Sequence, residues 1–140
     1  MNEKDLQFLK QATNFTDKEV EKLSPGMKKL FTNIDEKMGK WTIVAEVTDA
    51  KNCFAGHKKG DKIVIDYPFL NIEKSTTPRP CLCAVAPLIM YVRVMLALLS
   101  EGIDPNKSIY ADLEHDCMDP GLEHGGMGKV HLKLRAVRAD

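Results

Sequence analysis

The stretch from Leu82 to Leu99 constrains this chain most, because it is apolar throughout except for Arg93 and is interrupted only by Pro87. A run of this kind either crosses a bilayer or forms the helix around which a core is built. An arginine near mid-bilayer costs about 2.5–3.5 kcal/mol even on the lenient insertion scale. The expected element is therefore a long core helix opening at Cys81, apolar nearly all round and central to the fold, with no membrane partner. Ala84, Leu88, Tyr91, Met95 and Leu98 mark its expected core stripe.

A helix this apolar needs a second layer, and the flanking sequence supplies one. At Trp41 the pattern changes to period two: Trp41, Ile43, Ala45 and Val47 alternate with Thr42, Val44, Glu46 and Thr48, which predicts a strand. Lys62 to Tyr67 predicts a second strand, Ile109 to Leu113 a third and Val130 to Val137 a fourth. Pro68 to Pro80 is expected to be irregular, since Thr77-Pro78-Arg79-Pro80 forces extended backbone. Upstream, residues 2–38 predict a pair of short helices, with Thr16 and Glu19 forming a capping box and Ser24-Pro25-Gly26 breaking the pattern. The fold class expected is α+β: an N-terminal helical pair, then a small, mostly antiparallel sheet or open barrel packed on one long buried helix. At 140 residues the chain is expected to be a single domain, 1–40 a helical extension and 41–137 the α+β core.

Charge narrows the partners. Lysine plus arginine and aspartate plus glutamate number 20 each, so the formal net charge is zero, and no basic stripe supplies the phosphate-neutralising term of nucleic-acid binding. The polar stretch Met1 to Lys10 lacks the apolar region of a secretory signal, so a cytoplasmic setting with reduced thiols is expected. Unspent apolar surface on the long helix and the N-terminal pair predicts a homo-oligomer or a partner protein.

The residues able to carry chemistry sit at the mouths of elements. Cys53 and His57 lie four apart in the first long loop, Cys81 and Cys83 stand where the long helix begins, and Cys117 follows His115 at the end of the third strand. Cysteine, histidine and aspartate are ligands for zinc, which takes about four donors in a tetrahedron. A thiol at a helix N-terminus is instead a nucleophile candidate, with Cys53 or Cys81 reacting and His57 as base. Cys83 is expected to face the core. The glycines Gly125-Gly126-x-Gly128 precede a strand rather than a helix, so they predict a tight loop and not a phosphate cradle.

Cys53-Phe54-Ala55-Gly56-His57-Lys58-Lys59-Gly60-Asp61, a cysteine opening a helix at Cys81, and Cys117-Met118-Asp119-Pro120 before the last strand resemble a family of small uncharacterised proteins, mostly from anaerobes. That family carries Cys-Pro-x-Gly-His-Lys-x-Gly-Asp, a mid-chain cysteine and a late Cys-Pro-Asp-Pro; Phe54 and Met118 depart from it where it has proline. The resemblance spans residues 41–137 and singles out Cys53, His57, Cys81 and Cys117 as a shared site over Cys83, His115, His124 and His131. The expected function is a small enzyme or enzyme subunit with a Cys/His site, either catalytic through Cys53, His57 and Cys81 or holding zinc or iron on all four residues. The alternative is a non-catalytic accessory or ligand-binding subunit of a larger assembly, with a small molecule as ligand.

Overall fold

A computed structural model describes residues 1–139, leaving only Asp140 of the expected domain outside the described residues. The N-terminal segment forms four short helices where the sequence predicts a pair: α1 (Glu3–Thr13), α2 (Asp17–Glu21), α3 (Pro25–Phe31) and α4 (Ile34–Lys37). The caps explain the division. Asn2 with Asp5 and Thr16 with Glu19 each close a capping box, while Ser24 caps α3 with Pro25 at its first turn. Asn14 and Asn33 adopt left-handed φ between segments. Leu9 and Val20 are the buried apolar residues of this region.

The sheet has the strands β1 (Trp41–Lys51), β2 (Lys62–Asp66), β3 (Phe69–Asn71), β4 (Glu114–Asp116) and β5 (Lys129–Arg138) in the order β3-β2-β1-β5-β4. Every pairing is antiparallel, and the sheet is open rather than a barrel. β1 is the axis, pairing with β2 from Ile43↔Ile65 to Glu46↔Lys62 and with β5 from Trp41↔Arg138 to Lys51↔Lys129. Its alternation is the one the sequence predicts, with Ile43, Ala45 and Val47 buried.

Three local expectations are corrected. The stretch Pro68 to Pro80 is not wholly irregular, because Phe69–Asn71 pairs with β2 as an edge strand. Ile109 to Leu113 is not a strand: Ile109–Asp112 is a one-turn helix, called α7 here, and the strand follows it at Glu114. The edge of β5 at Ala136 is already taken. Asn106 donates from Nδ2 to the Ala136 carbonyl at 2.7 Å and accepts the Ala136 amide at 2.8 Å, so the chain finds open ladder only further along.

The third correction concerns the long helix. It runs from Leu82 to Ser100, as α5 (Leu82–Val85), a 3₁₀ turn at Ala86–Leu88 carrying Pro87, and α6 (Ile89–Ser100). By length and composition it would suffice to cross a membrane, but one face packs on the sheet. Ala84, Leu88, Val92, Met95 and Leu99 are buried against Ile43, Val47, Ile63, Leu132 and Leu134. Tyr91 and Leu98, expected in the stripe, are only half-buried, and Ile89 and Met90 are exposed. The helix is thus not central but covers one face of the sheet.

Candidate functional site

The C-terminal ends of β1 and β4, the start of β5 and the N-terminus of the long helix all lie at one end of the sheet, and three loops meet there. The first loop leaves β1 through Asn52, in left-handed φ, and turns at Cys53, whose carbonyl accepts the Gly56 amide at 3.0 Å. It returns through Gly60, at φ +91°, a conformation that a residue with a Cβ rarely adopts. Asp61 closes the loop, accepting the Lys58 amide on Oδ2 at 3.0 Å.

His57 is the pin of the arrangement. Its side chain is 1% exposed. Its Nε2 accepts the backbone amide of Cys81 at 3.0 Å, tying the first loop to the helix start. An Nε2 that accepts must be unprotonated, so the neutral ring carries its proton on Nδ1. Nδ1 has no hydrogen-bond partner among the described residues and faces Asp61 Oδ2 at 3.7 Å. The atom that would serve as base or ligand is therefore held by an amide in this arrangement, and His57 acts as a positioning residue for Cys81.

Cys81 is the N-cap of the long helix, with φ −71° and ψ 128°, and its side chain makes no capping hydrogen bond. The Cys81 carbonyl accepts the amides of Ala84 at 3.0 Å and Val85 at 3.1 Å, while the amides of Leu82 and Cys83 lack intrahelical acceptors by helix geometry. Cys83, expected in the core, is exposed. The Cys81 sulfur beside it, foremost by charge, holds the Cys83 thiol above the ordinary cysteine range, with desolvation and then a hydrogen bond to Cys81 adding to the rise. The Cys83 carbonyl accepts the Met118 amide at 2.9 Å, which docks the third loop on the helix.

That third loop is organised by Asp119. Its carboxylate accepts the amides of Gly121 at 2.9 Å, Met127 at 3.0 Å and Gly128 at 3.3 Å. Gly121 foremost, these amides hold the carboxyl below the usual range despite the opposing cost of desolvation. Cys117, just ahead, is buried; its sulfur accepts the Val130 amide at 3.3 Å and lies 3.9 Å from the Asp119 carbonyl.

Between these loops lies a cavity of about 200 Å³ lined by Cys53, His57, Cys81, Cys83, Cys117 and Asp119, with Phe54, Met127 and Val130 among its apolar walls. The four residues expected to share a site thus border one space, and Cys83, which the resemblance passes over, borders it too. The signal for Cys83 was its spacing: two residues along from the cap, it stays at the same helix end. The other histidines lie elsewhere. His115 is buried in the core with its ring 4.3 Å from that of Tyr91, and burial lowers its pKa. His124 is exposed in the third loop, and His131 pairs with Asp116 at 2.6 Å on the surface.

Thiolate donors suit zinc or iron by chemistry. Their placement does not: among the described residues no three His, Cys, Asp or Glu side chains are arranged to hold a metal ion, and His57 Nε2 is taken by an amide. The residues as placed do not fit a four-coordinate metal. No protein-family model, curated protein or solved structure matches this chain.

Proposed function

We propose that the chain is a small enzyme, or the subunit of one, whose chemistry is carried by cysteine thiols, with Cys81 as the reacting group. One observation carries this reading: every cysteine of the chain borders the same cavity at the N-terminus of the long helix. A thiolate on Cys81 faces the positive end of the helix, whose dipole favours negative charge there. His57, pinned beside Asp61, fixes the Cys81 backbone at the edge of the cavity. Cys117 is buried and hydrogen-bonded, which makes it a wall of the site rather than its reagent. The resemblance to the small anaerobe proteins supports the same set, since Cys53, His57, Cys81 and Cys117 are the positions it singles out.

The test is differential alkylation. Protein purified without oxygen is treated with limiting iodoacetamide at neutral pH and mapped by mass spectrometry. Cys81 is expected to be modified first, and Cys117 to stay unmodified while the fold is intact. Alkylation of Cys81 at the rate of Cys117 sinks the reading, and zinc or iron found at one equivalent per chain replaces it with a metal centre.

One observation favours the accessory alternative. Tyr67, Phe69 and Leu70 on the β3 side and Ile89 on the helix are exposed apolar residues bordering one groove of about 330 Å³. Apolar surface of this kind is a common mark of association. Light scattering is expected to show a species larger than 15.7 kDa, and a monomer at every concentration tested counts against assembly.

A further inference from the structure

Cys81 and Cys83 have no reason to be a pair if either is only filling space. Cys83 is exposed, so packing does not account for it, and the Cys81 side chain makes no capping hydrogen bond to the helix. Residues two apart lie within about 7 Å of each other even in extended chain. The helical turn that starts at Leu82 draws them into the range of roughly 4.4–6.8 Å between Cα atoms that a disulfide requires. The remaining cysteines are less suited as partners. Cys117 is engaged with the Val130 amide, and Cys53 is half-buried against the core on a separate loop.

We infer that Cys81 and Cys83 exchange dithiol for disulfide with a disulfide-bearing peptide or protein substrate, Cys81 attacking and Cys83 resolving. The inference rests on the reading of the cavity as a thiol site and names its substrate class. The two sulfurs are unequal. The Cys81 sulfur beside it, foremost by charge, holds the Cys83 thiol above the ordinary cysteine range, which suits Cys83 to the part of a reserve thiol. Exchange needs this division, because the attacking group must be a thiolate and the resolving group must wait. Phe54, Leu82, Met118 and Met127 are exposed and are either in the cavity wall or next in sequence to its cysteines. That apolar rim suits a disulfide flanked by apolar peptide better than a small charged one.

The Cys81 thiolate attacks one sulfur of the substrate disulfide, an S–S bond forms to Cys81, and the substrate bond breaks with its electron pair on the departing thiolate. That thiolate takes a proton from water. Cys83 then loses its proton to water and attacks Cys81 Sγ; the Cys81–Cys83 bond forms and the second substrate thiolate departs and is protonated. Counted from the dithiol, whose Cys81 proton passes to water as the thiolate forms, the substrate gains the two electrons and two protons that the two cysteines lose.

The test mixes fully reduced protein, without oxygen, with a peptide whose disulfide is flanked by phenylalanine and, separately, with oxidised glutathione. The wild-type chain is expected to release two thiols per chain from the peptide and to end with Cys81 linked to Cys83, as read by mass spectrometry of digests. Cys83→Ser is expected to release one thiol and to stop as a mixed disulfide on Cys81. A wild-type chain that stops at the mixed disulfide, or that links Cys81 to Cys53, overturns the dithiol pair but leaves Cys81 as the reacting thiol. A chain whose Cys81 forms no adduct with either disulfide overturns both readings. Faster reaction with glutathione than with the peptide overturns the substrate class.

Discussion

Replacing Leu88 by alanine is expected to lower the unfolding free energy by about 2–5 kcal/mol, measured as a shift of the urea midpoint at unchanged slope. Leu88 is fully buried where the 3₁₀ turn meets α6, and it belongs to the same packed cluster as Ile43, Met95 and Leu132. Removing its isopropyl group leaves a void that the sheet below cannot follow, because β1 is held on both sides by ladders. A domain of this size has roughly 5–15 kcal/mol in total, so the loss is a large share of its stability. An unchanged midpoint would mean that the helix does not rest on the sheet.

Gly128→Ala is expected to destabilise by about 3 kcal/mol, at the upper end of what overpacking costs. A Cβ at Gly128 would meet the carbonyl oxygen of Asn52 at 2.1 Å and its carbon at 2.4 Å, both backbone atoms that no rotamer change can move aside. The third loop crosses the end of β1 at this point, so relief requires the loops carrying Cys53 and Cys117 to separate. The variant should therefore show faster alkylation of Cys117 as well as a lower midpoint. A variant as stable as the parent, with Cys117 still protected, would show that the crossing is looser than described.

How much of this was readable beforehand depended on whether a pattern carried phase. β1 was readable because its inward residues alternate with Thr42 and Glu46, and only one register buries Ile43, Ala45 and Val47. The start of the long helix was readable from Pro80-Cys81 and the apolar run beyond it. Its facing was not. A segment apolar on all sides contains no information about which side is covered, and the 3₁₀ turn at Ala86–Leu88 shifts the angular phase, so Val92 and Leu99 are buried where Tyr91 and Leu98 were expected. β3 was missed because a three-residue edge strand is too short to display alternation. At the site, the element ends bearing Cys53, His57, Cys81 and Cys117 were legible. The bond from the Cys81 amide to His57 was not, since it depends on a loop geometry that spacing does not encode.

The pairing of β1 with β5 has a consequence for how the chain comes into being. It joins residues 41–51 to residues 129–138, so the centre of the sheet stays half-made through most of synthesis. On the ribosome, β1 and β2 emerge close together and can form their hairpin early. The apolar helix emerges next and can cover that hairpin, but Leu132 and Leu134, part of the floor beneath it, are still inside the exit tunnel or not yet joined to the chain. Until β5 follows, β1 offers an open edge and the helix an uncovered flank, the combination that draws nascent chains to one another. This protein is thus most exposed to misassembly in the interval between its long helix and its last strand, when holdase chaperones have the most to bind.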